Sequence, residues 1–310
     1  MPNVRPIRSL LFIPGNRASW MPKADRAGAD AVVFDLEGSL PHDLKDDGRR
    51  EVRDVLDRAD DFDASILVRI NDIRSPHAVA DLDVLVGPGL AGILLPQVAG
   101  VDDVRRLDEA LSEREADRGL PPGSIVIDPL METPMALLTA YEIATSTERI
   151  AYMGAGISKR GDIARTMGYR WSDEGMETLY FRSKVLLDVR AAGVESPLSG
   201  MWGDVADLDG LRRLANQTRG LGYEGMMVIH PSHVEVVNEI FSPSSEEIAE
   251  WQETLRVMAA ATEAGSGATT INGQVVDEAH VLTARHELER AARWGLVTPP
   301  REPGDQRSAD

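Results

Sequence analysis

Val126-Ile-Asp-Pro-Leu-Met-Glu132-Thr133 is a short apolar run that stops on a carboxylate. A run that is continuous rather than alternating marks a strand buried on both faces, as in a parallel sheet. Glu132 therefore stands where such a sheet opens its active site, at the carboxyl end of a strand. The next apolar run, 149–153, leads through Gly154-Ala-Gly-Ile-Ser-Lys-Arg-Gly to a second carboxylate, Asp162. Working outward, similar runs rich in Val, Ile and Leu fall at 9–14, 31–36, 65–70, 92–96, 197–202 and 225–230, with helical patterns between them at 46–57, 101–115, 174–192 and 207–221. Strand–helix alternation implies right-handed βαβ units. Eight runs match an α/β fold of the TIM (β/α)8 barrel type; an open doubly wound sheet is the alternative.

The pattern changes after residue 240. A long helix is expected over 244–264, with Ser244 or Ser245 as its N-cap and acids in its first turn. A Gly-rich stretch with hairpin character follows, then a helix over 278–294 and a tail with the composition of disorder. The expected organisation is a barrel over 7–242, a C-terminal helix and lid extension over 243–296, and a disordered tail over 297–310.

Composition narrows the function. The 310 residues include 43% hydrophobic residues, ample for a core, and carry a net charge of −18, which argues against nucleic acid as a partner. There is no cysteine, so disulfides, thiolate metal sites and cysteine nucleophiles are excluded. The N-terminal apolar run is stopped by Pro14-Gly15, too early for a signal peptide, and no stretch approaches the ~20 apolar residues of a membrane span. A cytoplasmic protein is expected.

Two hard oxygen ligands at strand ends, Glu132 and Asp162, suit Mg²⁺, with water and substrate completing the octahedron; the competing reading is that each caps the helix that follows it. Arg69, in Leu67-Val-Arg-Ile-Asn71, is a guanidinium inside an apolar strand and needs a partner. It either pairs with Asp35 or Glu37, or forms a fork for a substrate oxygen; the two are compatible. Asp35 and Glu37 share a face of their strand and either pair with Arg69 and backbone amides or support the metal and its waters.

The loop Pro14-Gly-Asn-Arg-Ala-Ser-Trp-Met-Pro-Lys23 gathers Asn16, Arg17 and Lys23, with Arg26 nearby. It could hold a phosphorylated ligand or be solvated surface, and it lacks the glycine spacing of a P-loop. His230 reads as a packed histidine, Trp202 and Asp204 as weak candidates, and Asp277 as surface charge or a general base carried on a flap.

The ordered set Arg8-Ser-Leu-Leu-Phe-Ile-Pro-Gly-Asn16, Gly28-Ala-Asp-Ala-Val-Val-Phe-Asp-Leu-Glu37, Val68-Arg-Ile-Asn71, Gly92-Ile-Leu-Leu-Pro96, Met131-Glu-Thr133, Arg182-Ser-Lys184, Val228-Ile-His-Pro-Ser232 and Val276-Asp277 resembles the CitE-like branch of the HpcH/HpaI aldolase/citrate lyase family. The resemblance implies a TIM barrel, usually a homotrimer, that cleaves or forms C–C bonds in β-hydroxyacyl-CoA esters such as malyl-, citramalyl- or citryl-CoA. The partners it implies are a CoA thioester and a small keto acid: glyoxylate, pyruvate or oxaloacetate. It places Mg²⁺ on Glu132 and Asp162, Arg69 on the substrate oxygen, and Arg8, Asn16 and Lys23 near the CoA. It also implies a lid that presents Asp277 to a neighbouring subunit as acid/base.

The chain departs from the family pattern at Gly38, where a second Asp is usual, at Pro96-Gln-Val-Ala99, where Pro-Lys-Val-Glu is usual, and in the longer loop before Asp162. A CoA-thioester hydrolase, an aldolase on free hydroxy-keto acids and a non-catalytic CoA-binding subunit are the alternatives to a Mg²⁺-dependent lyase.

Overall fold

The computed structural model describes residues 5–298. Of the expected tail, residues 299–310 lie outside the described residues. The chain divides into two compact units, with the boundary between Phe241 and Ser242.

The first unit alternates strand and helix. Its strands are β1 (Ser9–Pro14), β2 (Ala31–Asp35), β3 (Ser65–Arg69), β4 (Gly92–Leu95), β5 (Val126–Pro129), β6 (Leu198–Met201) and β7 (Gly225–Val228). Its helices are α1 (Met21–Arg26), α2 (Lys45–Leu56), α3 (Pro76–Leu85), α4 (Val101–Arg118), α5 (Pro134–Leu138), α6 (Ala140–Ala144), α7 (Asp162–Met167), α8 (Met176–Ala191), α9 (Leu208–Leu221) and α10 (Pro231–Phe241). The strands form one parallel sheet in the order β5-β4-β3-β2-β1-β7-β6.

Alternate residues of each strand serve two cores, which is why the runs are apolar throughout. Ala31 and Val33 of β2, Leu67 of β3 and Leu94 of β4 pack inside the curl of the sheet, whereas Val32, Phe34, Ile66, Val68 and Ile93 pack against the helices. Burying a side chain of this kind contributes about 1.5–3 kcal/mol. By the same alternation Asp35 and Arg69 fall on the inner face, at the carboxyl ends of their strands.

Seven regular strands form, not the eight expected. The run 149–153 makes only single parallel bridges, Ile127↔Ile150 toward β5 and Tyr152↔Ser196 beside β6, so the regular sheet is open between those two strands. Ion pairs hold the segment instead: Arg149 reaches Asp108 at 2.5 Å and Glu115 at 2.7 Å on α4. Just beyond, a Cβ on Gly154 would lie 1.8 Å from the Leu198 carbonyl oxygen, so only glycine permits that approach to β6.

The second unit pairs helix α11 (Ser245–Glu263) with a hairpin of β8 (Ala268–Ile271) and β9 (Gln274–Asp277), followed by α12 (Glu278–Arg293). Ser244 and Glu247 form a capping box at the start of α11. Asn272-Gly273 closes the hairpin with φ of 52° and 81°, the signature of a two-residue turn that suits strand twist. Met258, Val276 and Val281 make a small core of its own.

Candidate active site

Asp35 and Arg69 are register partners in the parallel pairing of β2 with β3. Arg69 donates from Nε to Asp35 Oδ1 and from Nη2 to Oδ2, both at 2.7 Å. Its Nη1 lies 3.4 Å from Glu37 Oε2, and the guanidinium stands over the Phe12 ring. The structure bears out the pairing reading: Asp35 takes the fork of Arg69, and Glu37 lies beside Nη1.

Burial alone would raise the Asp35 carboxyl, but Arg69, the Ser39 hydroxyl and the Glu37 amide outweigh it and hold Asp35 below the usual value. Glu37 is pushed up, mainly by burial and in part by the charge of Asp35, against the pull of Arg69. The loop after β2 is pinned from behind by buried Lys45, whose Nζ donates to the carbonyls of Leu36 and Glu37.

Glu132 and Asp162 do not cap helices. Thr133 takes that task for α5, its hydroxyl accepting from Ala136 N, and Gly161 stands at the N-cap of α7. Both carboxylates turn instead to Gln97, on the loop after β4. The Gln97 side-chain Nε2 donates to Glu132 Oε1 and to Asp162 Oδ2, each at 3.1 Å, and the Gln97 backbone N–H also donates to Glu132 Oε1 at 2.9 Å. Gln97 holds a left-handed backbone with φ of 53°, rare for a side chain other than glycine. Residues far apart in the chain are thus gathered around one nitrogen.

Glu132 is raised above the usual glutamate value, chiefly by burial, with Glu37 and Asp162 adding to the effect and Gln97 and Arg69 opposing it. Asp162 is lowered, chiefly by Arg165, which donates to its Oδ1 at 2.8 Å.

The longer loop before Asp162 is tied to strands on both sides. Gly156 N donates to Met131 O, Met201 N donates to Ile157 O, and the Tyr169 hydroxyl donates to Ser158 O. It walls a cavity of about 550 Å³ that also takes in Asp35, Glu37, Gly38, Arg69 and Glu132. A second space of about 450 Å³, with Lys159, Trp202 and Asp204 on its walls, shares Ser158, Arg160, Met201 and Ile229 with the first. The absence of a side chain at Gly38 also matters, since a Cβ there would lie 2.9 Å from Arg69 Nη2.

Other expected residues lie elsewhere. Arg8 precedes β1, at the amino ends of the strands, where its Nε and Nη2 reach Asp30 at 2.8 and 2.7 Å; the structure does not bring it to the cavity. Neither Asn16 nor Lys23 lines the cavity, although Pro14, just before their loop, does. Lys23 is exposed. His230 bonds to the Ser232 hydroxyl. Asp277, in the second unit, is an exposed N-cap of α12, with His280 Nδ1 2.8 Å away holding its carboxyl low. Gln97, which the sequence presents only as a departure from the family pattern, is the residue that joins the two carboxylates; it directly follows the run 92–96.

These donors fit a hard divalent cation. Mg²⁺ is commonly held by one or two carboxylates and completes its shell with water and substrate, and Glu132 and Asp162 present two such oxygens on one cavity wall. Among the described residues no three His, Cys, Asp or Glu side chains gather as a fuller cage. No helix of the described residues is long and apolar enough to cross a membrane.

Comparison with known proteins points the same way. The HpcH/HpaI aldolase/citrate lyase family model matches residues 8–231. The citrate lyase subunit beta of Leuconostoc mesenteroides subsp. cremoris is 30% identical over 297 residues, covering 96% of this chain and 97% of that protein. A (3S)-malyl-CoA thioesterase of Cereibacter sphaeroides is 32% identical over 286 residues, covering 92% and 95%. Among solved structures, CitE from Mycobacterium tuberculosis in complex with magnesium, acetoacetate and coenzyme A aligns with a TM-score of 0.69 at 27% identity, covering 93% of this chain and all of that one. A citrate lyase from Burkholderia xenovorans aligns with a TM-score of 0.79 at 20% identity, a likeness of fold, over 94% of this chain and 93% of that one.

Proposed function

The chain belongs to the HpcH/HpaI aldolase/citrate lyase family, and on that premise we propose that it is a Mg²⁺-dependent lyase that cleaves or forms a C–C bond in a β-hydroxyacyl-CoA ester. The observation that carries this reading is that Glu132 and Asp162, which meet at Gln97, line one cavity together with Arg69. Glu132 and Asp162 would hold the cation, which when bound supplies Lewis acidity to the oxygens of the hydroxy acid or keto acid.

Arg69, oriented by Asp35, offers its remaining donors to the oxygen on which charge develops. In cleavage, Glu37 takes the hydroxyl proton; its raised affinity for protons suits a base at that position. The C–C bond then breaks to a keto acid and the enolate of the shorter thioester; Asp277 of a neighbouring subunit passes a proton drawn from water to the enolate carbon, and Glu37 releases the hydroxyl proton to water. Condensation runs the same steps backward. Asn16 and Lys23 would meet the CoA from the loop after β1.

Self-association as a homotrimer belongs to the same proposal. Met176, Tyr180 and Leu187 expose an apolar stripe on α8, and Met135 and Leu138 on α5 are also exposed, as an interface requires. So does closure of the sheet into a (β/α)8 barrel through the bridged segment 149–153, and a cytoplasmic setting consistent with the cysteine-free sequence.

A second reading, hydrolysis of the CoA thioester on the same site, is favoured by the similarity to (3S)-malyl-CoA thioesterase. Incubating malyl-, citramalyl- and citryl-CoA with the protein, with Mg²⁺ or with EDTA, tests both. Keto acid release by mass spectrometry marks the lyase, free thiol marks the hydrolase, and turnover indifferent to EDTA overturns the metal mechanism.

A further inference from the structure

We propose that Gln97 is a switchable ligand: its amide donates to Glu132 and Asp162 when no cation is held, and turns its Oε1 to the cation when one is. The inference rests on the proposed Mg²⁺ site and goes beyond it by adding a third protein oxygen. Ionised carboxylates only accept hydrogen bonds, so an amide lying between two of them must present nitrogen, as Gln97 does at 3.1 Å to each. A divalent cation held by the same two oxygens repels those N–H groups. Rotation of the amide exchanges a repelled donor for a hard carbonyl oxygen of the kind Mg²⁺ prefers.

The main chain at Gln97 is held in place. The Gln97 backbone N–H is bonded to Glu132 Oε1 at 2.9 Å, and its carbonyl accepts from Arg74 Nη2 at 3.1 Å. Main chain and Cα are thereby fixed, and Gln97 sits in the left-handed region with φ of 53°. The terminal torsion of glutamine is broad and nearly two-fold, so turning the amide over needs no new rotamer for the rest of the side chain. Gln97 is therefore a positioning residue for the carboxylate pair without metal and a ligand with it.

The test is calorimetric Mg²⁺ binding, and Mn²⁺ binding by electron spin resonance, on the full chain, with thermal melts as a folding control. Gln97→Met keeps the bulk of the side chain but removes its oxygen, and should weaken cation binding about 10- to 100-fold. Gln97→Lys should weaken it further, because an ammonium cannot be a ligand. Gln97→Glu, which offers an oxygen in every orientation, should bind at least as tightly as the parent.

If Gln97→Met or Gln97→Lys binds as tightly as the parent, or more tightly, the amide is a spectator or an obstacle and the switch is overturned. If the parent itself binds no Mg²⁺, and Glu132→Gln changes nothing, the metal site and the switch fail together. A parent that binds while Gln97→Met is unaffected sinks the switch alone. Should Gln97→Met fold poorly, the contrast between Gln97→Lys and Gln97→Glu decides the same question.

Discussion

Asp35 and Arg69 face each other across the pairing of β2 with β3 and are joined by two parallel hydrogen bonds of 2.7 Å. The arrangement fixes the plane of a guanidinium that lines the cavity. Asp35→Asn keeps the shape but removes the charge that holds Arg69, and losing one partner of a buried pair should cost about 3 kcal/mol. Asp35 is lowered in the folded chain, so its contribution is present above the ordinary value of 3.8 and is lost as pH falls through the folded value. Urea unfolding of parent and variant at neutral and acidic pH checks this: the gap should be largest at neutral pH and should close in acid. Equal stability at pH 7 would contradict it.

Glu132→Gln should lower turnover by about 100-fold or more, the scale on which losing one essential electrostatic contact acts. It should not destabilise the protein at neutral pH. Glu132 is raised in the folded chain, so the stability it contributes is full below the ordinary 4.5 and is lost as pH rises through the folded value. Replacing it with a neutral group removes that loss. The melting temperature of the variant should equal or exceed that of the parent at pH 7, with the difference vanishing below about pH 4.

Mg²⁺ affinity should fall on acidification in an order set by the two carboxylates. Glu132, pushed up by burial, takes its proton first, before an ordinary glutamate would. Asp162, held low by Arg165, stays ionised to lower pH. Calorimetry across pH 4–7 should therefore show weakening that begins above the usual carboxylate range, and Glu132→Gln should abolish that early phase.

Arg165 and Asp162 form an exposed pair one helical turn apart. Such pairs are worth about 0–1 kcal/mol, so Arg165→Gln should leave the melt almost unchanged. It also removes a positive charge that competes for Asp162 Oδ1, and should tighten Mg²⁺ roughly two- to five-fold at low salt, a gain that added salt erases.

Gly38→Asp should lower activity although the resemblance makes Asp the commoner residue here. A Cβ at position 38 would meet Arg69 Nη2 at 2.9 Å and push the guanidinium off its seat. Crowding of this kind typically costs about 1–3 kcal/mol. Steady-state kinetics would show the loss mainly in kcat, and parental activity would show that Arg69 has room to retreat.

Much of this was legible along the chain because burial and periodicity are local signals. Continuous apolar runs marked seven strands, a Gly-rich stretch marked a hairpin, and Ser244 or Ser245 followed by acids marked a helix start. Glu132, Asp162, Arg69, Asp35 and Glu37 could be placed at strand ends because a parallel sheet sends all its carboxyl ends the same way. The strand-like composition of 149–153 did not reveal that Arg149 anchors that segment to α4 and that Gly154 lets it lean on β6. Nor did Arg8, just before the first apolar run, show that it would spend its charge on Asp30 at the opposite ends of the strands. Gln97 looked like a mere departure from a pattern. Which partner a polar side chain finds depends on residues dozens of positions away, converging to within a hydrogen bond, and only the folded chain decides that.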